Sequence, residues 1–269
     1  MALLRSFTHA RFLFYFMLRA FRPAVVLALA MGALLTSCDA STKDSDPAPA
    51  AVGAISGMVT VQDEVGQPVA NKAGITVTLE GSSTSVSTVT GADGSFQLKN
   101  LPWGTYKIVY KRNDLGTIQE ASLVLNEQHR TLARTATLGQ LASTVVTSFS
   151  LGGDGPLSNS QAYTVGVNHN SAVYPDDYGF RIYMGATAGV SSTNYQFTSL
   201  VYSNQNPTQF WFHYADLLKR GFKSGDMVYL VVYGAPGREV TYADPANGRA
   251  QLVSNLNPTP SAVRSFVLP

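Results

Sequence analysis

The chain is poor in the groups that most often announce a function. Among its 269 residues there is one cysteine, Cys38, so neither a disulfide within the chain nor a cysteine-cluster metal site can form. Only 13% of residues are charged, and 19 Lys and Arg nearly balance 17 Asp and Glu. No long basic run occurs, which argues against nucleic acid as the main partner, because phosphate binding needs a concentrated positive field. The apolar run from Ala24 to Leu35 has 12 residues. At about 1.5 Å per residue it is too short to cross a hydrocarbon core of about 30 Å comfortably. Catalytic signatures are missing as well: no Gly-x-Ser-x-Gly elbow, no His-Glu-x-x-His, no phosphate loop, no Gly-x-Gly-x-x-Gly after a strand, and no His-x-x-Glu pair with a distant His. Beyond residue 37 the histidines are His129, His169 and His213, each isolated in sequence. These absences argue against an enzyme and imply no cofactor and no metal.

What is present begins at the amino terminus. Arg5, Arg11, Arg19 and Arg22 precede the apolar run, the order of a positive n-region and an h-region in a signal peptide. The run ends in Leu35-Thr36-Ser37-Cys38, which resembles the bacterial lipobox. The resemblance implies that residues 1–37 are removed before Cys38, that its thiol carries a diacylglyceryl group, and that the new amino terminus is acylated. Two or more chains, each contributing about 0.8 kcal/mol per buried CH₂, anchor a protein stably where one does not. Met17 would start a signal of ordinary size, so both Met1 and Met17 stand as starts. Without the first 37 residues the balance is 15 basic against 17 acidic, or −2. Asp39 resembles an inner-membrane retention signal of enterobacterial sorting, a rule other diderm lineages do not follow. The expected address is the cell envelope, at the outer membrane or cell surface.

Residues 38–52, rich in Ala, Ser, Asp and Pro, have too little apolar content to fold and read as a flexible linker. From Gly53 the pattern changes to period-two alternation broken by turns, as half-buried strands require. Ile55, Gly57, Val59 and Val61 share one face; Ile75, Val77 and Leu79, Phe96 and Leu98, and Tyr106, Ile108 and Tyr110 form further inward sets. Gly66-Gln67-Pro68, Gly91-Ala92-Asp93-Gly94 and Pro102-Trp103-Gly104 are turn chemistry. About seven short strands over residues 53–138 predict a Greek-key sandwich. The ordered series Gly57-x-Val59, Gly66-Gln67-Pro68-Val69, Gly74-Ile75-Thr76-Val77-Thr78-Leu79, Thr90-Gly91-Ala92-Asp93-Gly94-Ser95-Phe96 and Asn100-Leu101-Pro102-Trp103-Gly104-Thr105-Tyr106 resembles a carboxypeptidase regulatory-like domain. That resemblance implies a transthyretin-like, carbohydrate-binding-like sandwich and no peptidase activity. Related adhesin domains carry a Lys–Asn crosslink, but Met58, Thr60 and Gln62 stand where the first strand would supply the Lys, so none is expected.

Residues 141–269 differ in composition: 18 of the 22 aromatics beyond residue 37 lie here. Strand-like segments run near 144–151, 161–168, 179–184, 195–202, 209–213, 226–234, 249–254 and 262–268. The stretch Met227 to Tyr233 is apolar on both faces, as in a central strand. Only Tyr214 to Arg220 looks helical. The Gly225-Asp226 turn into Val228-Tyr229-Leu230-Val231-Val232-Tyr233 loosely resembles a strand of fibronectin type III or immunoglobulin-like modules. The fold expected is all-β: two tandem antiparallel sandwiches behind a signal peptide and linker.

Three aromatics stand out as ligand-binding candidates. Trp103 occupies the variable place of a Pro-x-Gly turn, where an indole face can stack on a sugar or fold back as a lid. Trp211 alternates outward between Phe210 and Phe212, and Tyr214 follows it. Tyr174, Tyr178, Tyr183, Tyr195 and Tyr202 either join them as a recognition surface or fill the core. His169 beside Asp176 and Asp177 reads as a solvated loop rather than a metal site. Asp63, Glu64 and Asp93 read as turn residues before they read as calcium ligands. The function expected is a non-enzymatic, membrane-anchored binding or adhesion module with glycan as the leading ligand class. The alternative is a structural spacer or accessory subunit of an envelope protein complex.

Overall fold

The structure, a computed structural model, describes residues 52–81, 85–154, 159–246 and 251–269. The signal segment, Cys38 and the linker up to residue 51 lie outside the described residues.

Seven strands build the first sandwich: β1 (Val52–Gln62), β2 (Thr76–Glu80), β3 (Ser85–Val89), β4 (Ser95–Pro102), β5 (Gly104–Lys111), β6 (Ile118–Leu125) and β7 (Thr131–Gly139). They form two sheets, in the orders β4-β1-β7 and β3-β2-β5-β6. Alternation sorts their side chains, since successive residues of a strand face opposite ways. Ile55, Val59 and Val61 from one sheet meet Val77, Leu79, Ile108 and Tyr110 from the other, all buried. Burying each such side chain contributes about 1.5–3 kcal/mol. Phe96 on β4 and Tyr110 on β5 meet edge to face across the gap, with centroids 5.8 Å apart. Pairing is antiparallel except between β1 and β7, which run parallel. β7 reaches β1 by crossing over from the other sheet, so no hairpin dictates its direction. Gly57 keeps β1 close to its neighbours: a Cβ there would sit 1.9 Å from the Arg134 carbonyl oxygen and 2.8 Å from the Phe96 ring.

The second sandwich packs a three-stranded sheet against a four-stranded one. The first comprises β8 (Val145–Asp154), β9 (Ser160–Asn168) and β12 (Thr208–His213); the second comprises β10 (Tyr178–Gly185), β11 (Phe197–Ser203), β13 (Met227–Ala235) and β16 (Arg264–Val267). A short helix, α1 (Tyr214–Lys219), falls where the sequence looks helical. Between β13 and β16 the chain makes an excursion bearing a hairpin that the sequence predicts only in part, β14 (Thr241–Ala243) with β15 (Gln251–Val253). β10 and β13 are covered on both faces. Tyr178, Phe180, Ile182, Val228, Leu230 and Val232 point into the core between the sheets. Tyr183, Val231 and Tyr233 point the other way into a second layer with Tyr195 and Leu256. The expectation of a central, doubly apolar strand from Met227 to Tyr233 is met in β13.

Both cores belong to one compact unit, and buried polar groups join them. Glu64, in the first turn after β1, accepts hydrogen bonds at Oε2 from the Ser143 amide (2.7 Å), the Ser143 hydroxyl (3.1 Å) and the Tyr174 hydroxyl (2.9 Å). Tyr174 in turn accepts from the Gly237 amide at 3.0 Å. Burial, together with the neighbouring Glu64, pushes the Tyr174 hydroxyl well above its ordinary pKa, so it remains a donor at neutral pH. Asn255, fully buried, accepts from the Val240 amide (2.8 Å) and donates to the Arg238 carbonyl (3.0 Å). The backbone of the first sandwich passes so close that a Cβ on Gly139 would lie 2.4 Å from Asn255 Nδ2.

Candidate functional site

Trp103 is the single residue between β4 and β5, and its side chain is 40% exposed. The turn is closed beneath it by the Tyr106 hydroxyl, which donates to the Pro102 carbonyl at 2.5 Å. The indole therefore stands at the end of the first sandwich. Trp211 is 43% exposed on β12, while Phe210 and Phe212 pack inward; Phe210 stacks on Tyr163 at 5.2 Å. Tyr214 opens α1, half-buried, with its ring 6.4 Å from Phe266. Trp103 belongs to one sandwich and Trp211 with Tyr214 to the other, so the three are not gathered into one site.

The wider tyrosine surface does not form. Tyr174, Tyr178 and Tyr183 are each at most 5% exposed, because the two faces of β10 are both covered and Tyr174 is held at the seam. Tyr195 and Tyr202 remain nearer the surface, their hydroxyls donating to the carbonyls of Gln251 and Gly237. His169 stacks on the Tyr178 ring at 4.7 Å. Among the described residues no group of three His, Cys, Asp or Glu is placed to hold a metal ion. Asp63 caps its own turn, accepting from the amides of Val65 and Gln67. Asp93 does the same for Ser95, whose amide and hydroxyl hold its pKa below the ordinary value. Glu64 is committed to the seam, so the three carboxylates do not converge.

The surface that does converge runs along that seam. A shallow depression of about 720 Å³ lies on the outer face of β2, β5 and β6; one of about 480 Å³ lies where the sandwiches meet; one of about 550 Å³ lies between β6 and β14. Lys111, Arg112, Asn113 and Thr117 line both the first and the second, Gln119 the first and third, and Tyr242 the second and third. The three are thus one continuous groove. Its floor at the seam is made of buried Leu115 and Leu256, and its rim of hydroxyl, amide and ring groups, with Tyr233 and Tyr242 half-buried in it. Burial first, and then Asp244, raise the Tyr242 hydroxyl pKa.

Arg112 is fixed in this rim. Its Nε and Nη2 donate to the two carboxylate oxygens of Asp114 (2.7 and 3.0 Å), and Nη1 donates to the carbonyls of Asn71 and Ala73 (3.2 and 2.9 Å). The guanidinium hydrogen bonds hold the Asp114 pKa below the ordinary carboxylate value. Among the described residues no histidine or cysteine lines any of the three depressions.

Sequence reasoning passed over Lys111, Asn113, Tyr233 and Tyr242. Their neighbourhood is assembled from segments more than a hundred residues apart, which local periodicity does not register. A usable sign was the sequence Arg112-Asn113-Asp114-Leu115-Gly116, a polar turn leading into a glycine. A Cβ on Gly116 would lie 2.5 Å from the Ser254 backbone.

The carboxypeptidase regulatory-like domain family matches residues 54–139, the first sandwich. No curated protein matches the chain. Among solved structures, one described as a "putative carbohydrate binding protein" from Bacteroides uniformis is 10% identical, with 80% of this chain and 99% of that chain covered and a TM-score of 0.33. A DUF3823 family protein from Parabacteroides merdae is 15% identical, with 81% and 99% covered and a TM-score of 0.29. The major pilin SpaD of Corynebacterium diphtheriae is 10% identical, with 80% and 65% covered and a TM-score of 0.27. Likeness at this level does not extend to function.

Proposed function

We propose that the chain is a non-enzymatic binding protein of the bacterial cell envelope, exported, tethered through lipid on Cys38 at the outer membrane or cell surface, and bearing a glycan site in the seam groove. Export and anchoring rest on the arginines, the apolar run and Leu35-Thr36-Ser37-Cys38. The observation behind the binding reading is the continuity of the groove across a seam held by buried polar contacts. A long, shallow, hydroxyl- and amide-rich surface suits an extended sugar chain, whose hydroxyls need many weak polar partners and whose C–H faces pack on tyrosine rings. The resemblance of the first sandwich to carbohydrate-binding-like domains points the same way, by association of fold.

The test is a glycan array probed with the detergent-solubilised mature protein. Binding is expected, and Tyr242→Ala should weaken it at least tenfold without lowering the melting temperature by more than about 2 °C. An array without signal rejects the glycan reading. In that event the locked seam favours the other reading, a rigid spacer or accessory subunit of an envelope complex. Cys38→Ser should release the protein from the membrane fraction; retention there would reject the anchor.

A further inference from the structure

The charges lining the groove are unequally satisfied. Glu80 is paired with Lys107 at 2.6 Å, Asp114 with Arg112 at 2.7 Å, and Glu120 with Arg134 at 3.0 Å. Asp244 accepts from the Ala246 amide at 2.8 Å, at the far end. Lys111 stands apart. It is exposed at the end of β5, it lines both the first depression and the seam depression, and its ammonium has no ion pair or hydrogen bond among the described residues. Among the described residues the seam depression itself is lined by Lys111 and Arg112 and by no carboxylate. Arg112 cannot turn away, because four hydrogen bonds hold it in place.

We infer that the groove selects an acidic glycan, one whose sugars carry a carboxylate, and that Lys111 is the residue that reads the charge. This rests on the reading of the groove as a glycan site and specifies its substrate class. A uronic-acid residue at the seam offers three features that the lining matches. Its carboxylate meets Lys111, the one free cation of the groove among the described residues, in a charge-assisted contact shorter and stronger than a neutral one. Its ring face lies toward Tyr233 or Tyr242. Its hydroxyls meet Asn113 and the hydroxyl groups of the rim. An acidic peptide would share the charge, but it would need apolar or shaped holes for its side chains, and the leucines of the floor are buried beneath the rim.

The experiment compares binding of the full mature protein to three probes of matched length: an oligogalacturonate, a neutral oligogalactan and an oligoglutamate. Titrations are run at about 20 and 300 mM salt, between which exposed charge contacts are strongly screened. The uronate is expected to bind at least tenfold tighter than the neutral chain at low salt, with most of the difference lost at high salt. Lys111→Gln should remove that preference, bringing uronate affinity down to that of the neutral chain; the side chain is exposed and unpaired, so the melting temperature should not move. Lys111→Arg should retain the preference. Equal binding of neutral and acidic chains, or a Lys111→Gln loss shared by both, overturns the charge selection but leaves the glycan site standing. Oligoglutamate binding as tightly as the uronate overturns the glycan assignment in favour of peptide. Failure of all three probes overturns both the selection and the site.

Discussion

The two sandwiches solve the same packing problem with different materials. The first has a single core between its sheets, filled by aliphatic side chains with a few aromatics, and the outward faces of its strands meet solvent. The second is buried twice over: its larger sheet packs against the smaller one on one side, and on the other carries a tyrosine-rich layer with Val190, Val231 and Leu256. Edge-to-face contacts of Tyr183 with Tyr195 (4.9 Å) and with Tyr233 (5.6 Å) knit that outer layer. The excursion between β13 and β16 that closes this layer, through Leu256, is also the segment that reaches the first sandwich, through the Arg238 amide, which donates to the Glu64 carbonyl, and through Asn255, which packs against Gly139. The aromatic wealth of residues 141–269 therefore serves mainly packing, most of it in the core between the sheets and the rest in the outer layer. Much of what resembles a recognition surface in the sequence is interior.

This contrast is hardest to maintain if the sandwiches unfold together, and the chain supplies its own reporters, since Trp103 and Trp211 are its two tryptophans, one in each sandwich. Phe180→Ala removes a fully buried ring from the second core and should cost about 3–5 kcal/mol. With the seam intact, Trp211→Phe and Trp103→Phe backgrounds should report the same lowered denaturant midpoint. A drop seen through Trp211 alone would mean that the sandwiches melt as independent bodies despite the seam.

A somewhat smaller effect is expected at the joint itself. Glu64→Ala strips the acceptor from the Ser143 amide and hydroxyl and from Tyr174, leaving donors in a partly buried site, at a cost of about 2–3 kcal/mol. The sharper readout is the splitting of the two tryptophan transitions, which coincide in the unaltered protein and should separate in the variant. Coincident transitions in Glu64→Ala would show that the apolar contacts at the seam suffice to couple the two halves.

How much of this was legible follows from how local each feature is. Ile55, Val59, Val61, Val77 and Leu79 are readable because period two is a property of neighbours. The outward turn of Trp211 between two inward phenylalanines is readable for the same reason. Tyr183 is not. On β10 it occupies the face opposite Phe180 and Ile182, and nothing nearby in sequence reveals that residues around 195, 233 and 256 cover that face. Glu64 is harder still: in a turn, beside Asp63, it has the ordinary look of a solvated carboxylate, yet its partners stand 79 and 110 residues away. β14 has three residues, too few for any alternation to show. The groove inherits all of these difficulties, since its walls come from the β5–β6 turn, a loop near residue 192 and the excursion.

The smallest effect is expected at the residue that the sequence singles out most readily. Trp103 lies at the start of β5 and Lys111 at its end, so at about 3.3 Å per residue the indole is roughly 25 Å from the centre of the groove. Its ring makes no aromatic contact among the described residues, and it is 40% exposed. Trp103→Ala should therefore cost about 1 kcal/mol or less, well below the about 3–5 kcal/mol of a buried tryptophan. Because the Tyr106 hydroxyl closes the turn on the Pro102 carbonyl without help from the indole, the strand ends should hold their register. Glycan affinity measured by titration calorimetry should stay within twofold, against a loss of at least tenfold for Tyr242→Ala. The opposite ranking, with affinity lost at Trp103 and kept at Tyr242, would move the binding site from the seam to the exposed end of the first sandwich. The seam would then be a joint alone, and the two sandwiches would divide the work as binder and support.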